Sequence, residues 1–269
     1  MPLHQAVILA IVQGFTEFLP ISSSAHLALA PWLLGWKDQG LTFDIALHFG
    51  TLAAVVIYFF RDWTQIIGQA FGLKAGSDSE LAASPRLLWT LAAATLPIGI
   101  LGFAFKDQVE TTLRSPWVIG VMLISVGLLM LLAERLGRRT KTIGQITFSD
   151  AMSIGFAQAL AIVPGTSRSG ITITAGLFRH IERAAAARFS FLLSTPAIAA
   201  AALLAFKDLH KAGGIPQDEI ASFAAGIVVS ALTGCFVIGF FLRFLRNHSL
   251  RFFVAYRIIF GILVLALAF

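Results

Sequence analysis

Apolar stretches of about 20 residues, the length that crosses the hydrocarbon core of a bilayer as an α-helix, alternate with short polar segments along most of this chain. The pattern predicts six complete membrane spans, at residues 43–60, 86–105, 116–134, 184–206, 220–242 and 252–268. We therefore expect an all-α polytopic membrane protein whose 269 residues form a single membrane domain.

Two further regions, residues 4–34 and 147–178, are interrupted by polar breaks. Each has an apolar stretch, a break at Pro20 or Pro164, and a second apolar stretch too short to span a bilayer. Proline ends helices, and broken backbone at membrane depth is tolerated only where it is buried in protein or lines a wet cavity. The pattern predicts two re-entrant helix hairpins.

The two interrupted regions are similar to each other. A shift of 144 residues aligns four pairs of proline or hydroxyl residues: Pro20 with Pro164, Ser22 with Thr166, Ser23 with Ser167 and Thr51 with Thr195. We therefore predict an internal repeat with halves at about 1–140 and 141–269. A hairpin plus three spans crosses the membrane an odd number of times, so the second half should be inverted, as in inverted-repeat transporters.

Basic residues test this topology. The side away from the N-terminus would carry thirteen of them: Arg61, Lys74, Arg86, Arg135, Arg138, Arg139, Lys141, Arg179, Arg183, Arg188, Arg243, Arg246 and Arg251. The N-terminal side would carry five: Lys37, Lys106, Arg114, Lys207 and Lys211. Because cytoplasmic loops are rich in Lys and Arg, we expect the thirteen in the cytoplasm and both termini outside.

The net charge of +6 could also indicate nucleic-acid binding. Only 13% of the residues are charged, however, against about 25% in soluble domains. There is no soluble basic domain, and basic loops of membrane proteins face anionic lipid. We expect the lipid bilayer, and no nucleic acid, as a partner.

The first break carries a carboxylate and three hydroxyls. Glu17 shares a helical face with Gln13. A lone buried carboxylate is costly, which favours a metal ligand or a general acid/base over a carboxylate bonded to backbone. Residues 22–24, all serine, open the next helix, where free N–H groups can hold a phosphate. One serine can simply cap the helix, and one near a base is a candidate nucleophile.

Two histidines lie close to this break in sequence. His26 follows Ser23 by three residues, so it could sit one helical turn above it in the same cavity and act in catalysis. Asp44 and His48 share a helical face. For that pair we favour a membrane-boundary or core position over a cavity lining.

The second break is the stronger anion signal. Residues 163–170 read Val-Pro-Gly-Thr-Ser-Arg-Ser-Gly. Arg168 stays charged in any protein environment and binds phosphate through two parallel hydrogen bonds, while glycines let backbone approach a ligand. An ion pair between Arg168 and Glu17 is compatible with this interpretation.

These residues resemble the undecaprenyl-diphosphate phosphatase family, the bacitracin-resistance enzymes. Residues 13–26, Gln-Gly-Phe-Thr-Glu-Phe-Leu-Pro-Ile-Ser-Ser-Ser-Ala-His, are similar to its first motif and residues 164–170 to its second, and the resemblance covers the whole chain. It implies an inverted repeat in the bacterial plasma membrane, with a site facing the periplasm or exterior. It also implies hydrolysis of undecaprenyl diphosphate, which recycles the lipid carrier of cell-wall synthesis and confers bacitracin resistance.

The resemblance also implies roles for single residues. The catalytic centre would contain Glu17, Ser23, His26 and Arg168. The candidate substrate-binding residues are Gln13, Ser22, Ser24, Thr166, Ser167, Ser169, Gly170 and Thr172. A divalent cation, Mg²⁺ or Ca²⁺, is implied with Glu17 as a ligand. Many members have Glu where this chain has Gln13, which weakens any claim that two carboxylates in this motif hold the metal.

Three alternatives stay open. The attacking atom could belong to Ser23, to His26 or to a water molecule. A transporter or flippase of polyprenyl phosphate would also use an inverted repeat with half-helices. The oligomeric state is open, with a homodimer as one alternative.

Overall fold

The computed structural model describes residues 1–105, 113, 115–211 and 214–268, so Lys106 and Arg114 of the charge count lie outside the described residues. Twelve α-helices form in the described ranges: α1 Leu3–Phe18, α2 Ser23–Leu34, α3 Leu41–Tyr58, α4 Phe60–Ala70, α5 Ser79–Ala82, α6 Leu87–Ala104, α7 Pro116–Leu136, α8 Phe148–Ala159, α9 Arg168–Phe178, α10 Arg183–Lys211, α11 Ile220–Asn247 and α12 Arg251–Leu267. The 3₁₀ helices Ile143–Gln145 and Leu160–Ile162 flank α8. The predicted all-α class is confirmed.

Most predicted spans form suitable helices. Helices α6, α7 and α11, and residues Arg183–Leu204 of α10, are long and apolar enough to cross a membrane. Predicted span 43–60 corresponds to α3, which bends by 72° into α4, and the two together give a fifth candidate. Predicted span 252–268 corresponds to α12, which has only 17 residues, so it stays a prediction as a full span. The multi-pass membrane character is confirmed.

Helices α4 and α5 were not predicted. Helix α4 is amphipathic, with Gln65, Ile66 and Gly68 buried. It was not predicted because its sequence is too polar for a membrane span. Gln65 exchanges two hydrogen bonds with the backbone of Asp78, at 2.8 and 3.1 Å. Asp78 in turn caps α5 through its side chain.

Both predicted hairpins are broken where the sequence indicated. Ser22 and Ser167 are the N-cap residues of α2 and α9, and both have the left-handed φ that non-glycine residues rarely adopt, +76° and +68°. They are 145 residues apart, so the predicted 144-residue alignment of Ser23 with Ser167 is wrong by one at the helix starts. The second break has one extra residue relative to the prolines, and it contains Gly165 at φ +90°. In three dimensions Ser23 therefore corresponds to Arg168.

Helices at corresponding places of the predicted repeat make corresponding contacts. Helix α1 packs on α11 as α8 packs on α6, and α3 contacts α11 as α10 contacts α6. Helix α3 also packs on α10, and α7 on α12, which are pairs of corresponding helices. The predicted halves, 1–140 and 141–269, stay a prediction. The inverted orientation of the second half stays a prediction.

Ion pairs fix several of the basic residues for which a cytoplasmic position is predicted. Five of the thirteen basic residues bind buried or half-buried carboxylates: Lys141 and Arg179 bind Asp150, Arg139 and Arg183 bind Glu134, and Arg188 binds Asp62 and Asp78. Glu134 also accepts the backbone N–H of Leu250 at the start of α12. The predicted cytoplasmic side of the basic residues stays a prediction.

A close helix contact gives a test of this packing. A Cβ atom at Gly155 in α8 would lie 2.3 Å from the Ala94 carbonyl oxygen in α6. We expect Gly155→Ala to destabilise the protein by about 1–3 kcal/mol through overpacking, seen as a lower midpoint of thermal unfolding in detergent. Gly99→Ala in α6 is the matched control, since a Cβ there meets nothing within 4 Å. Equal midpoints for the two variants would contradict the α6–α8 contact.

Candidate active site

Glu17, in the last turn of α1, is the centre of a hydrogen-bond cluster that joins the two breaks. Its Oε2 atom accepts hydrogen bonds from Ser23 Oγ at 2.5 Å and Gln13 Nε2 at 3.1 Å. Its Oε1 atom accepts one from Arg168 Nη2 at 2.6 Å. His48 Nε2 lies 3.6 Å from Oε2. The structure thus brings together four predicted site residues, Gln13, Glu17, Ser23 and Arg168. It adds His48, for which a position outside the site was expected.

The two helix starts make equivalent contacts with this carboxylate. Ser23 is the first residue of α2 and Arg168 the first residue of α9, and they bind opposite oxygens of Glu17. Helix N-termini carry unpaired N–H groups and a partial positive charge. Two such ends and an arginine therefore meet around a single carboxylate, which suits binding of a further anion.

A cavity of about 380 Å³ opens beside this cluster. Its polar lining consists of Glu17, Ser23, Ser24, Asp44, His48, Ser167 and Arg168. The rest of the wall is apolar and comes mainly from α10, the second break, and Leu27, Ile45 and Ile98. A polar end and an apolar wall are typical of a site for an amphipathic ligand.

Arg168 has donor capacity left over. Its Nη2 atom binds Glu17, whereas its Nη1 atom is buried and has no hydrogen-bond partner among the described residues. A buried, unpaired donor on a charged group is costly. Arg168 lines the cavity, so its guanidinium group, with a donor left over, lies next to any anionic ligand bound there.

His48 lines the cavity, although the sequence did not indicate it as a site residue. Its Nδ1 atom lies 2.7 Å from the Asp44 carbonyl oxygen, which only accepts hydrogen bonds, so Nδ1 carries the hydrogen. Nε2 is then the nitrogen that faces Glu17 and the cavity. The spacing of Asp44 and His48 inside an apolar helix was the available signal, and our preference for a boundary or core position was wrong because both residues line the cavity.

His26 lies elsewhere. Its Nδ1 is 2.7 Å from the Ser22 carbonyl oxygen, its Nε2 is 2.6 Å from the Tyr256 hydroxyl, and its ring stacks on Phe260. It is not among the residues that line the cavity. The predicted shared cavity with Ser23 is therefore not observed, because the Ser22 carbonyl oxygen engages Nδ1 while Tyr256 and Phe260 of α12 engage Nε2 and stack on the ring. A catalytic role for His26 stays a prediction.

The predicted substrate-binding residues divide into two groups. Ser24 and Ser167 line the cavity. The other six do not: Gln13, Ser22, Thr166, Ser169, Gly170 and Thr172. Gln13 reaches the site only through Glu17, at 3.1 Å. Direct contact with a ligand in this cavity is thus supported for two of the eight.

The remaining five hold the breaks in place. Ser169 Oγ donates to the Leu19 carbonyl oxygen at 3.1 Å and so joins one hairpin to the other. The Ser22 hydroxyl bonds that of Ser24, and the Ser167 hydroxyl accepts the Gly170 N–H. Two threonines brace the second hairpin: Thr166 Oγ1 donates to the Leu160 carbonyl oxygen, and Thr172 Oγ1 lies 2.6 Å from Ser190 Oγ.

The cavity offers limited donors for a metal ion. Among the described residues there is no group of three or more His, Cys, Asp or Glu side chains that could hold one. The lining does include two carboxylates, Glu17 and Asp44. Mg²⁺ is usually bound by one or two carboxylates together with waters and substrate phosphates. The donor set therefore fits a cation that shares its ligands with a phosphorylated substrate.

Comparison with known proteins agrees with this chemistry. An undecaprenyl-diphosphatase of Desulforudis audaxviator (strain MP104C) is 47% identical over 264 residues, which cover 98% of this chain and 97% of that protein. An undecaprenyl-diphosphatase of Moorella thermoacetica (strain ATCC 39073 / JCM 9320) is 46% identical over 267 residues, which cover 99% and 98%. Residues 6–263 match the family described as bacitracin resistance protein BacA. The chain belongs to this family.

Proposed function

We propose that this protein is an integral membrane phosphatase that hydrolyses undecaprenyl diphosphate to undecaprenyl phosphate and inorganic phosphate. The observation that carries the proposal is the lining of one cavity by Ser23, Glu17 and Arg168, whose guanidinium keeps an unpaired donor. The names of the relatives supply the substrate. A polyprenyl tail fits the apolar wall, to which α10 contributes Ala197, Ile198 and Ala201.

The short contact between Ser23 and Glu17 makes Ser23 the proposed nucleophile. As Ser23 Oγ forms a bond to the terminal phosphorus, its proton passes to Glu17, to which it is already hydrogen-bonded. The bond from that phosphorus to the bridging oxygen breaks, and undecaprenyl phosphate leaves. Arg168 and the N-termini of α2 and α9 stabilise the charge on the phosphoryl oxygens.

Water completes the cycle in a second step. A water molecule attacks the phosphorus of phosphorylated Ser23, inorganic phosphate leaves, and Ser23 Oγ recovers its proton. The bond between phosphorus and Ser23 Oγ breaks, Glu17 returns to Oγ the proton that it took in the first step, and the attacking water gives its proton to His48 Nε2. His26 can act by holding the Ser22 carbonyl at the start of α2.

A divalent cation fits the proposal as a companion of the diphosphate. Glu17 and Asp44 would hold it together with substrate oxygens. When bound, such a cation neutralises charge on the diphosphate and polarises the scissile bond. We propose Mg²⁺ or Ca²⁺ in this role.

Transport of a lipid phosphate accounts for fewer of the observations. A transporter needs an anion site, which Arg168 provides. It does not need a hydroxyl 2.5 Å from a carboxylate at that site. The Ser23–Glu17 contact therefore favours hydrolysis, which in this family recycles the lipid carrier and supports bacitracin resistance.

Phosphate release by the purified protein tests the proposed function. In detergent, with undecaprenyl diphosphate and Mg²⁺ or Ca²⁺, we expect release by the wild type and its loss with a chelator. We expect Ser23→Ala to lower kcat by roughly 10³-fold or more and Arg168→Lys by about 10²-fold. Acid-quenched enzyme should carry phosphate on Ser23.

The matched control is Ser153→Ala, because Ser153 Oγ donates to its own helix, to the Ser149 carbonyl oxygen. This variant should retain wild-type kcat. No phosphate release by the folded wild type would reject hydrolysis and leave transport. Wild-type kcat for Ser23→Ala would reject Ser23 and leave water as the nucleophile.

The contact between His26 and Tyr256 gives a second test of the site. If His26 acts by position, then Tyr256→Phe, which removes the 2.6 Å contact, should lower kcat by about tenfold, the effect of one lost hydrogen bond. The double variant His26→Gln/Tyr256→Phe should be no slower than His26→Gln alone. Full activity of Tyr256→Phe beside an inactive His26→Gln would instead favour direct catalysis by His26.

Orientation is the last part of the proposal: we place the site on the exterior face of the bacterial plasma membrane. Ser24 is exposed and lines the cavity. In a background with Cys235→Ala, which removes the sole native cysteine, Ser24→Cys should react with a membrane-impermeant thiol reagent added to intact cells. Reaction only in inside-out vesicles would reverse the assignment.

A further inference from the structure

Arg257 in α12 is a charged side chain inside the protein. It is fully buried and is among the largest fully buried side chains. Among the described residues it forms no ion pair within 4.0 Å, although an isolated buried charge is very costly. It lies within the last predicted span, residues 252–268, and the mechanism above does not use it.

The guanidinium group binds backbone carbonyl oxygens instead of a carboxylate. It donates to five of them, at 2.9 to 3.3 Å: Pro20, Met122, Leu123, Gly165 and Thr166. Pro20 lies in the first break, Gly165 and Thr166 in the second, and the other two in α7. One side chain therefore joins both hairpin breaks to a third helix.

The contact with Thr166 also sets the direction of a donor. No peptide bond of the described residues is cis, and in a trans peptide the C=O and N–H groups point in opposite directions. With its carbonyl oxygen held by Arg257, the Thr166–Ser167 peptide turns the Ser167 N–H away from Arg257. Ser167 lines the cavity and keeps a left-handed φ of +68°.

We propose that Arg257 is a positioning residue for catalysis. From behind the site it fixes the spacing of Ser23 and Arg168 across Glu17, and it directs the Ser167 N–H toward the transferred phosphoryl group. This inference rests on the proposed phosphatase function.

The chemistry of the side chain explains why arginine occupies this position. A guanidinium is planar and carries five N–H donors in a fixed geometry, which suits acceptors on three separate segments. A lysine has three donors on one atom and cannot reach all of them. Ser169 gives an independent link between the breaks through its bond to the Leu19 carbonyl oxygen.

The test compares Arg257→Met and Arg257→Lys with Arg251→Met, a change of an exposed arginine on the same helix. We expect Arg257→Met to lower kcat per folded molecule by about 10²-fold or more, the effect of losing one oriented donor, with a much smaller change in KM. Arg257→Lys should recover only part of the loss. Arg257→Lys/Ser169→Ala should lose more than the product of the two single effects, and Arg251→Met should match the wild type.

A readout that needs no substrate separates this inference from the proposed function. Hydrogen–deuterium exchange in detergent should speed up in peptides that cover residues 19–24 and 164–170 of Arg257→Met, but not of Arg251→Met. Unchanged exchange, or wild-type kcat in Arg257→Met, would overturn the positioning role. Full recovery in Arg257→Lys would show that charge, and not the donor geometry, matters. A wild type without phosphate release but with the expected exchange would reject only the phosphatase function.

Discussion

A buried carboxylate needs partners, and in this protein the partners of Glu17 come from three separate parts of the chain. Ser23 follows it across the first break, Arg168 arrives from the second hairpin, and His48 from α3. Without them, the charge would carry a large desolvation cost. Because Glu17 needs hydrogen-bond and ion-pair partners from both hairpins, the packing of the hairpins against each other also forms the site. The same packing leaves Arg168 with a donor to spare for a ligand.

The two breaks are equally demanding, since residues 19–22 and 164–167 are buried in the protein and their backbone groups cannot turn to water. Groups on neighbouring segments form hydrogen bonds with them instead. Arg257 accounts for three carbonyl oxygens of the breaks, and Ser169 for one more. Polar residues that the sequence suggested as ligand contacts thus form hydrogen bonds within the protein. Thr166 bonds the Leu160 carbonyl oxygen and Thr172 bonds Ser190, and neither lines the cavity.

Sequence predicted the features that depend on local chemistry. Apolar length gave the helices, and the prolines and serines gave the breaks to within a residue or two. An ion pair between Glu17 and Arg168 was compatible with the sequence pattern, because a buried charge needs a partner, and the family resemblance grouped both residues with Ser23. The sequence could not place His26, His48 and Arg257, because the direction of a side chain depends on which helix packs beside it. The sequence also did not indicate α4, because the polar composition of this helix resembles that of a loop.

The additional residue in the second break has a consequence for the two helix starts. If both breaks had the same length and sequence, the carboxylate would face either two serines or two arginines at equivalent places. Two serines would supply no fixed positive charge, and two arginines would leave no hydroxyl beside it. A difference of one position lets two similar helix starts present unlike groups to one carboxylate. The hairpins are therefore not interchangeable, because one brings the hydroxyl and the other brings the charge.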